Sequence, residues 1–251
     1  MSRIDRAIGL ARSLAIYYAI PFRQRRLRAL YRQFAGPGDL VFDVGAHLGN
    51  RTRALAALGC RVVALEPQPH VAAALRRFAG RNPRVQVVER AVAAAAGRAT
   101  LSVSERTPTV STLATEWRNA RAQEPDFGDV SWNQTVEVTA TTLDALIQEF
   151  GRPAFVKIDV EGGELGVLQG LSTAVPALSF EFLPRALDAA QACVARAEAI
   201  GPYRFNWSMA ESSVLALPRW VSGPALLEAL QAEPPSRHGD IYARLDPPRV
   251  R

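Results

Sequence analysis

The sequence predicts an α/β domain with a mostly parallel β-sheet and helices on both faces. Two observations lead there. Apolar runs of about five residues alternate with stretches of helical periodicity, the pattern of strands buried on both faces. Glycine- and proline-bearing turns close several of these runs, so right-handed crossovers place the strand C-termini and their loops on one edge, where open α/β sheets bind ligands. The composition is that of a globular protein, with 48% hydrophobic and 22% charged residues in 251, which excludes a largely disordered chain.

The elements follow in order. Gly36-Pro37-Gly38-Asp39 punctuates the chain, separating an N-terminal helical extension (1–37) from one domain (38–251). Leu40–Val44, Arg61–Leu65 and Val85–Val88 read as strands, with helices over Asn50–Leu58 and Val71–Phe78 between them. Ala99–Ser104 and Gln134–Thr139 alternate polar and apolar residues and predict a hairpin pair on the sheet's rim. The polar stretch 105–132 between them is long enough for a lid or substrate loop. A helix begins near Thr142, with Thr141 or Thr142 as N-cap. The strand beginning at Phe155 and a helix to Leu168 follow, then a strand at Leu178–Phe182 and an Ala-rich helix after Pro184. Tyr203–Trp207 and Val214–Leu217 are the expected antiparallel closing strands.

The net charge of +6 is concentrated between Arg3 and Arg32, where Asp5 is the only acid. So local an excess argues against a nucleic-acid-binding protein. Residues 8–20 are apolar but interrupted by Arg12, short of the roughly 20 apolar residues a spanning helix needs. They predict an amphipathic helix packed on the domain or on a second subunit of a homo-oligomer, with peripheral membrane contact through residues 1–35 as the alternative. Cys60 and Cys193 lie far apart in apolar contexts and predict core thiols in a reducing compartment. The implied location is cytoplasmic, extending to the inner membrane face if the membrane contact is made.

Three motifs carry chemistry. Asp43-Val44-Gly45-Ala46-His47-Leu48-Gly49-Asn50 ends the first strand in D-x-G-x-x-x-G. Gly45 permits a sharp turn, and Gly49 is expected to let the helix start approach a ligand. An aspartate ahead of the glycines repels a pyrophosphate and suits a ligand with an amino group. Glu66 ends the second strand about 20 residues further on, where a carboxylate accepts both hydroxyls of a ribose, and Pro67 fixes its turn. Together they ask for a nucleoside with a cationic or zwitterionic tail, which S-adenosylmethionine fits better than NAD. The third motif is Phe155-Val156-Lys157-Ile158-Asp159-Val160-Glu161-Gly162-Gly163-Glu164. Period-two alternation puts Phe155, Lys157 and Asp159 on one face. Lys157, the only lysine in the chain, therefore needs a partner inside the sheet. Glu164 falls in a first helical turn, where the helix dipole favours an acid.

LVFDVGAHLGN, VVALEPQP, TTLDALI and FVKIDVEGGELGVLQG, in this order, resemble the FkbM family of S-adenosylmethionine-dependent methyltransferases. SerThrLeu at 111–113, SFEF at 179–182 and GDIYAR at 239–244 resemble its later landmarks. The resemblance spans about residues 38–244. It implies a Rossmann-like class I methyltransferase fold with a seven-stranded, mostly parallel sheet, and methylation of a hydroxyl on a sugar, glycan or natural-product acceptor. It also implies a cofactor site made of Asp43, Gly45, Ala46, His47, Gly49, Asn50, Glu66, Pro67, Arg90 and Ala91. Of these, Asp43, Gly45 and Gly49 line the methionine portion, Glu66 holds the ribose, and Arg90 and Ala91 lie at the adenine. The chain departs from the family at His47, where Asn is usual.

Methyl transfer to oxygen needs alignment and a route for the hydroxyl proton. Asp159 is the expected base or orienting group on the acceptor side, Glu161 the second choice, and Lys157 their counter-ion. Mg²⁺ held by Asp159, Glu161 and Glu181 is the less favoured route. Two rival readings are a nicotinamide-dependent oxidoreductase, which calls for a three-glycine loop, and a catalytically silent membrane-surface module on the same fold.

Overall fold

A computed structural model describes residues 22–104, 107–124, 127, 130–209, 212–234 and 238–246. The apolar segment 8–20 lies outside them. Helix α1 (Arg23–Tyr31) precedes β1 (Leu40–Val44), α2 (Asn50–Ala57), β2 (Arg61–Leu65), α3 (Pro69–Phe78) and β3 (Val85–Val88). Strands β4 (Ala91–Val92) and β5 (Gly97–Val103), helix α4 (Thr115–Arg121) and β6 (Gln134–Thr141) come next. Then follow α5 (Leu143–Phe150), β7 (Phe155–Ile158), α6 (Glu164–Gln169), β8 (Ala177–Phe182), α7 (Leu187–Ile200), β9 (Tyr203–Met209), α8 (Gly223–Gln231) and β10 (Gly239–Leu245).

Seven strands form the main sheet in the order β3-β2-β1-β7-β8-β10-β9. β3, β2, β1, β7 and β8 run parallel, while β10 is antiparallel to both β8 and β9. The strand order reverses beside β1, so the crevice outside the ends of β1 and β7 is the natural ligand site. Thr142 caps α5, its hydroxyl accepting the Ala145 amide at 3.1 Å, which selects Thr142 of the two expected caps.

Two expectations are corrected. β5 and β6 do pair antiparallel, but with β4 they form a separate three-stranded sheet instead of sitting on the main sheet's rim. Val214–Leu217 is not a strand. Its position in the sheet is taken by β10, inserted between β8 and β9. Pro218 and the turn residues around it leave that segment one backbone bond to β9, from Ala216 N to Trp207 O at 2.8 Å.

Period-two alternation divides the core. Phe42, Val156, Ile158 and Phe180 pack with α5, α6, α7 and α8 on one face. Val41, Phe155, Ala177 and Tyr242 face Leu27, Leu30 and Tyr31 of α1 and Leu55 of α2 on the other. That second face carries the polar residues. Asp43, Lys157, Ser179 and Tyr242 are successive register partners across β1, β7, β8 and β10, and Asp240 lies opposite Glu181 in the next row.

β1 and β7 converge closely at their C-terminal ends. Gly45 has φ +80°, and a Cβ there would lie 1.8 Å from the Asp159 carbonyl oxygen. Gly45→Ala is therefore expected to lose at least about 2 kcal/mol in urea unfolding. Gly36→Ala, with open space around its Cα, should be near neutral.

Candidate active site

The crevice outside β1, β2 and β7 holds a cavity of about 460 Å³, lined among others by Gly45, His47, Glu66, Pro67, Arg90, Ala91, Asp159 and Glu161. A smaller pocket of about 30 Å³, lined by Asp43, Ala46, His47, Asn50, Arg51, Asp159 and Glu161 among others, shares several of these residues. The long segment between β5 and β6 supplies one wall through Pro108, Thr109, Ser111, Thr112, Leu113 and Ala114. Gln68 fastens this wall: its Nε2 donates to Pro108 O at 3.1 Å, and its Oε1 accepts from Ser111 Oγ at 3.3 Å.

Glu66 stands at the tip of β2, buried. Its two oxygens accept the backbone amides of His47 (3.1 Å) and Gln68 (2.9 Å). Burial outweighs these bonds and pushes its carboxyl up to about 7. Asp43 is 1% exposed. One oxygen accepts the Thr52 hydroxyl, and the other, Oδ1, has no partner among the described residues. Burial raises its pKa, against the Thr52 bond and Arg51. His47 takes a left-handed backbone, φ 48°, and burial lowers its imidazole to about 4. The ring is thus neutral at pH 7.

Two of the expected cofactor residues also make contacts within the fold. Gly49 lines neither pocket. Its bareness serves packing between helices, since a Cβ would meet Leu75 Cδ1 of α3 at 2.7 Å and Ala79 Cβ, just past the end of α3, at 2.9 Å. Asn50 is tied to α1, its Oδ1 accepting Gln24 Nε2 at 2.6 Å, while its buried Nδ2 has no partner among the described residues. Arg90 lines the cavity and also forms an ion pair with Glu149 at 2.7 Å.

At the end of β7, Lys157 is fully buried. Its Nζ donates to Asp240 Oδ1 at 2.8 Å and lies 3.7 Å from Asp159 Oδ2. Burial alone would lower its pKa, but Asp159 and Asp240 outweigh that and raise it. Arg51 joins the same two acids, 3.2 Å from Asp159 and 3.9 Å from Asp240. Burial acts to raise the Asp159 carboxyl, yet Lys157 and Arg51 together hold it below the usual range. A carboxylate so stabilised is a weak base, better suited to holding a position than to taking a proton.

The turn after Asp159 is fixed from three sides. Glu164 Oε1 accepts the amides of Val160 (3.1 Å) and Gly162 (3.3 Å). Thr112 Oγ1 donates to Glu161 O at 2.6 Å. Trp117 lies over Gly162, where a Cβ would come within 2.2 Å of the indole. These constraints hold Glu161 in a left-handed conformation, φ 54°, which costs about 1 kcal/mol or more.

Sequence reasoning missed Asp240, Arg51, Gln68 and Trp117. Asp240 had a signal in D-I-Y, which repeats the polar–apolar–polar alternation of K-I-D and S-F-E, but only the register of β10 against β8 brings it to Lys157.

The sequence profile of the methyltransferase FkbM domain matches residues 43–191. The chain belongs to the FkbM methyltransferase family. It has the family's S-adenosylmethionine-dependent methyltransferase fold, which sets aside the nicotinamide reading. Among solved structures it is similar to a putative O-methyltransferase from Klebsiella pneumoniae (TM-score 0.49, 10% identity, 98% of this chain and 91% of that one). It is also similar to an O-methyltransferase from Bacillus cereus in complex with SAH (0.47, 13%, 97% and 89%). Likenesses this remote carry no argument beyond the family match. A comparison with curated proteins finds no match.

The residues of this methyltransferase fit the cofactor. The orphaned Asp43 Oδ1 offers an acceptor in keeping with an amino group, and the orphaned Asn50 Nδ2 a donor in keeping with a carboxylate. The oxygens of Glu66, already aligned by two amides, keep lone pairs for ribose hydroxyls. Asp159, Glu161 and Glu181 each bring one oxygen within 4.8 Å of the others, a spacing open to Mg²⁺, although Asp159 is already engaged by Arg51 and Lys157.

Ribose hydroxyls favour the charged form of Glu66, so cofactor binding should expel its proton. Affinity for S-adenosylmethionine is expected to fall as pH drops through about 7. Glu66→Gln should weaken binding by roughly 10- to 100-fold and flatten that pH dependence, both measured by equilibrium dialysis.

Proposed function

We propose that this methyltransferase moves the methyl group of S-adenosylmethionine to a hydroxyl of a sugar, glycan or natural-product acceptor. The observation behind this reading is the placement of donor and acceptor chemistry on one crevice. Glu66 and the loop after β1 stand on one side, and the acids at the end of β7 stand on the other. Attack on a sulfonium methyl is an in-line displacement, so catalysis rests on alignment and on relief of the hydroxyl proton. In this reading Asp159 orients the acceptor, and Lys157 with Arg51 keeps Asp159 ionised and in place.

Radiolabelled S-adenosylmethionine incubated with a panel of soluble and lipid-linked glycans should leave label in an ether that survives mild base. Asp159→Asn should lower kcat by about 100-fold with cofactor affinity retained. Label found only on nitrogen, or on no acceptor, would sink the proposal.

The outer face of α1 favours a second, compatible reading, contact with an anionic membrane surface. Arg25, Arg26 and Arg32 are exposed there, Phe22 is 76% exposed, and the helix contains no acid. No described helix is long and apolar enough to cross a membrane, so such contact would be peripheral. The full chain should sediment with phosphatidylglycerol vesicles at low salt. Arg25→Glu/Arg26→Glu should remain in the supernatant, and equal sedimentation of both proteins would overturn the idea.

A further inference from the structure

The family match begins at Asp43, yet α1, which lies wholly before it, touches a residue of the cofactor crevice. Leu27, Leu30 and Tyr31 of α1 share an apolar cluster with Ala54 and Leu55 of α2, which fixes the two helices against each other. From this packed position the half-buried Gln24 side chain reaches Asn50 at the start of α2. Its Nε2 donates to the Asn50 carbonyl oxygen at 3.0 Å and to Asn50 Oδ1 at 2.6 Å. Asn50 is 4% exposed and lines the small pocket beside Asp43.

These two contacts decide which way the Asn50 amide faces. A backbone carbonyl oxygen accepts hydrogen bonds and cannot donate them. The Gln24 atom beside it must therefore be the nitrogen, since Oε1 there would set two acceptors against each other. An amide nitrogen so fixed has one hydrogen for the carbonyl and one for the Asn50 side chain, and only Oδ1 can accept the second. Asn50 Nδ2 is thus turned away from Gln24, and it is buried with no partner among the described residues. Asp43 Oδ1, of the same pocket, is left without one in the same way. A buried donor and a buried acceptor, both unmet, call for a ligand that satisfies each, and the carboxylate and amino group of an amino acid do so. Arg51 also lines this pocket, but Asp159 and Asp240 already engage its guanidinium.

We propose that Gln24 is a positioning residue of the cofactor site, holding the Asn50 amide so that Nδ2 donates to the carboxylate of S-adenosylmethionine. The helical segment before the family domain is then part of the donor site as well as a cover for the sheet. This inference rests on the cofactor reading of the crevice. Without Gln24 the Asn50 amide is able to turn over, and Oδ1 facing a carboxylate sets acceptor against acceptor.

Equilibrium dialysis of the full chain against two ligands tests this. One is S-adenosylmethionine, and the other its decarboxylated form, which keeps the nucleoside, the sulfonium and the amino group. The wild-type protein should prefer S-adenosylmethionine by about 10-fold. Gln24→Leu should lower affinity for S-adenosylmethionine by about 3- to 10-fold and leave the decarboxylated ligand within about twofold. Gln24→Glu, whose side chain only accepts, should lower it at least as much and guards against the loss of one variant. In an Asn50→Ala background, Gln24→Leu should add less than about twofold. A glutamine that merely held α1 in place would weaken both ligands alike. That result, unchanged affinity in both Gln24 variants, or an effect that adds in full to Asn50→Ala would overturn the proposal. Failure of the wild-type chain to bind S-adenosylmethionine would instead overturn the cofactor reading on which it rests. Thermal unfolding of each variant checks that it folds.

Discussion

The ion cluster around Lys157 is the constraint on which the rest of the site depends. An ammonium taken fully out of water loses several kcal/mol of hydration. One opposite charge a few ångströms away returns roughly 4 kcal/mol at protein-like screening, which does little more than break even. Asp240 at 2.8 Å and Asp159 at 3.7 Å tip the balance together, and Arg51 ties the two acids into a closed group. The cluster thereby joins β7, β10 and α2 at the functional edge of the sheet. Removing any one member would leave a buried charge uncompensated, so the acids around the crevice are held by the same forces that hold the strands.

This arrangement also explains how neighbouring carboxylates differ in character. Asp159 and Asp240 have cations, Glu164 has two backbone amides of the turn, and Glu66 has two amides from the loops beside β2. Among the described residues, Glu161 and Glu181 have none of these. Acids of nearly identical intrinsic chemistry are thus separated by surroundings alone into fixed anions, structural acceptors and two carboxyls that burial pushes above the usual range.

The segment between β5 and β6 forms one wall of the crevice. It reaches the crevice by three fixed contacts: Gln68 on Pro108 and Ser111, Thr112 on Glu161, and Trp117 on Gly162. Behind them, Trp117, Phe127 and Trp132 meet with ring centroids 5.9 to 6.4 Å apart. The wall is therefore braced against the turn after β7.

Much of this was legible in the sequence because it follows from local periodicity and turn chemistry. The five parallel strands, the glycine turn after β1, the carboxylate at the tip of β2 and the shared face of Phe155, Lys157 and Asp159 depend on residues within a few positions of one another. What the sequence could not decide was which distant residues meet. Asp240 lies 83 positions from Lys157, and only the antiparallel insertion of β10 beside β8 brings it there. Gly49 reads as a ligand-contacting glycine until α3 is seen packed against it. The sequence alone determined the residue types at the crevice and the order in which the strands deliver them. The tertiary structure decided which acids receive a counter-charge, because pairing across a sheet is set by register between strands and not by spacing along the chain.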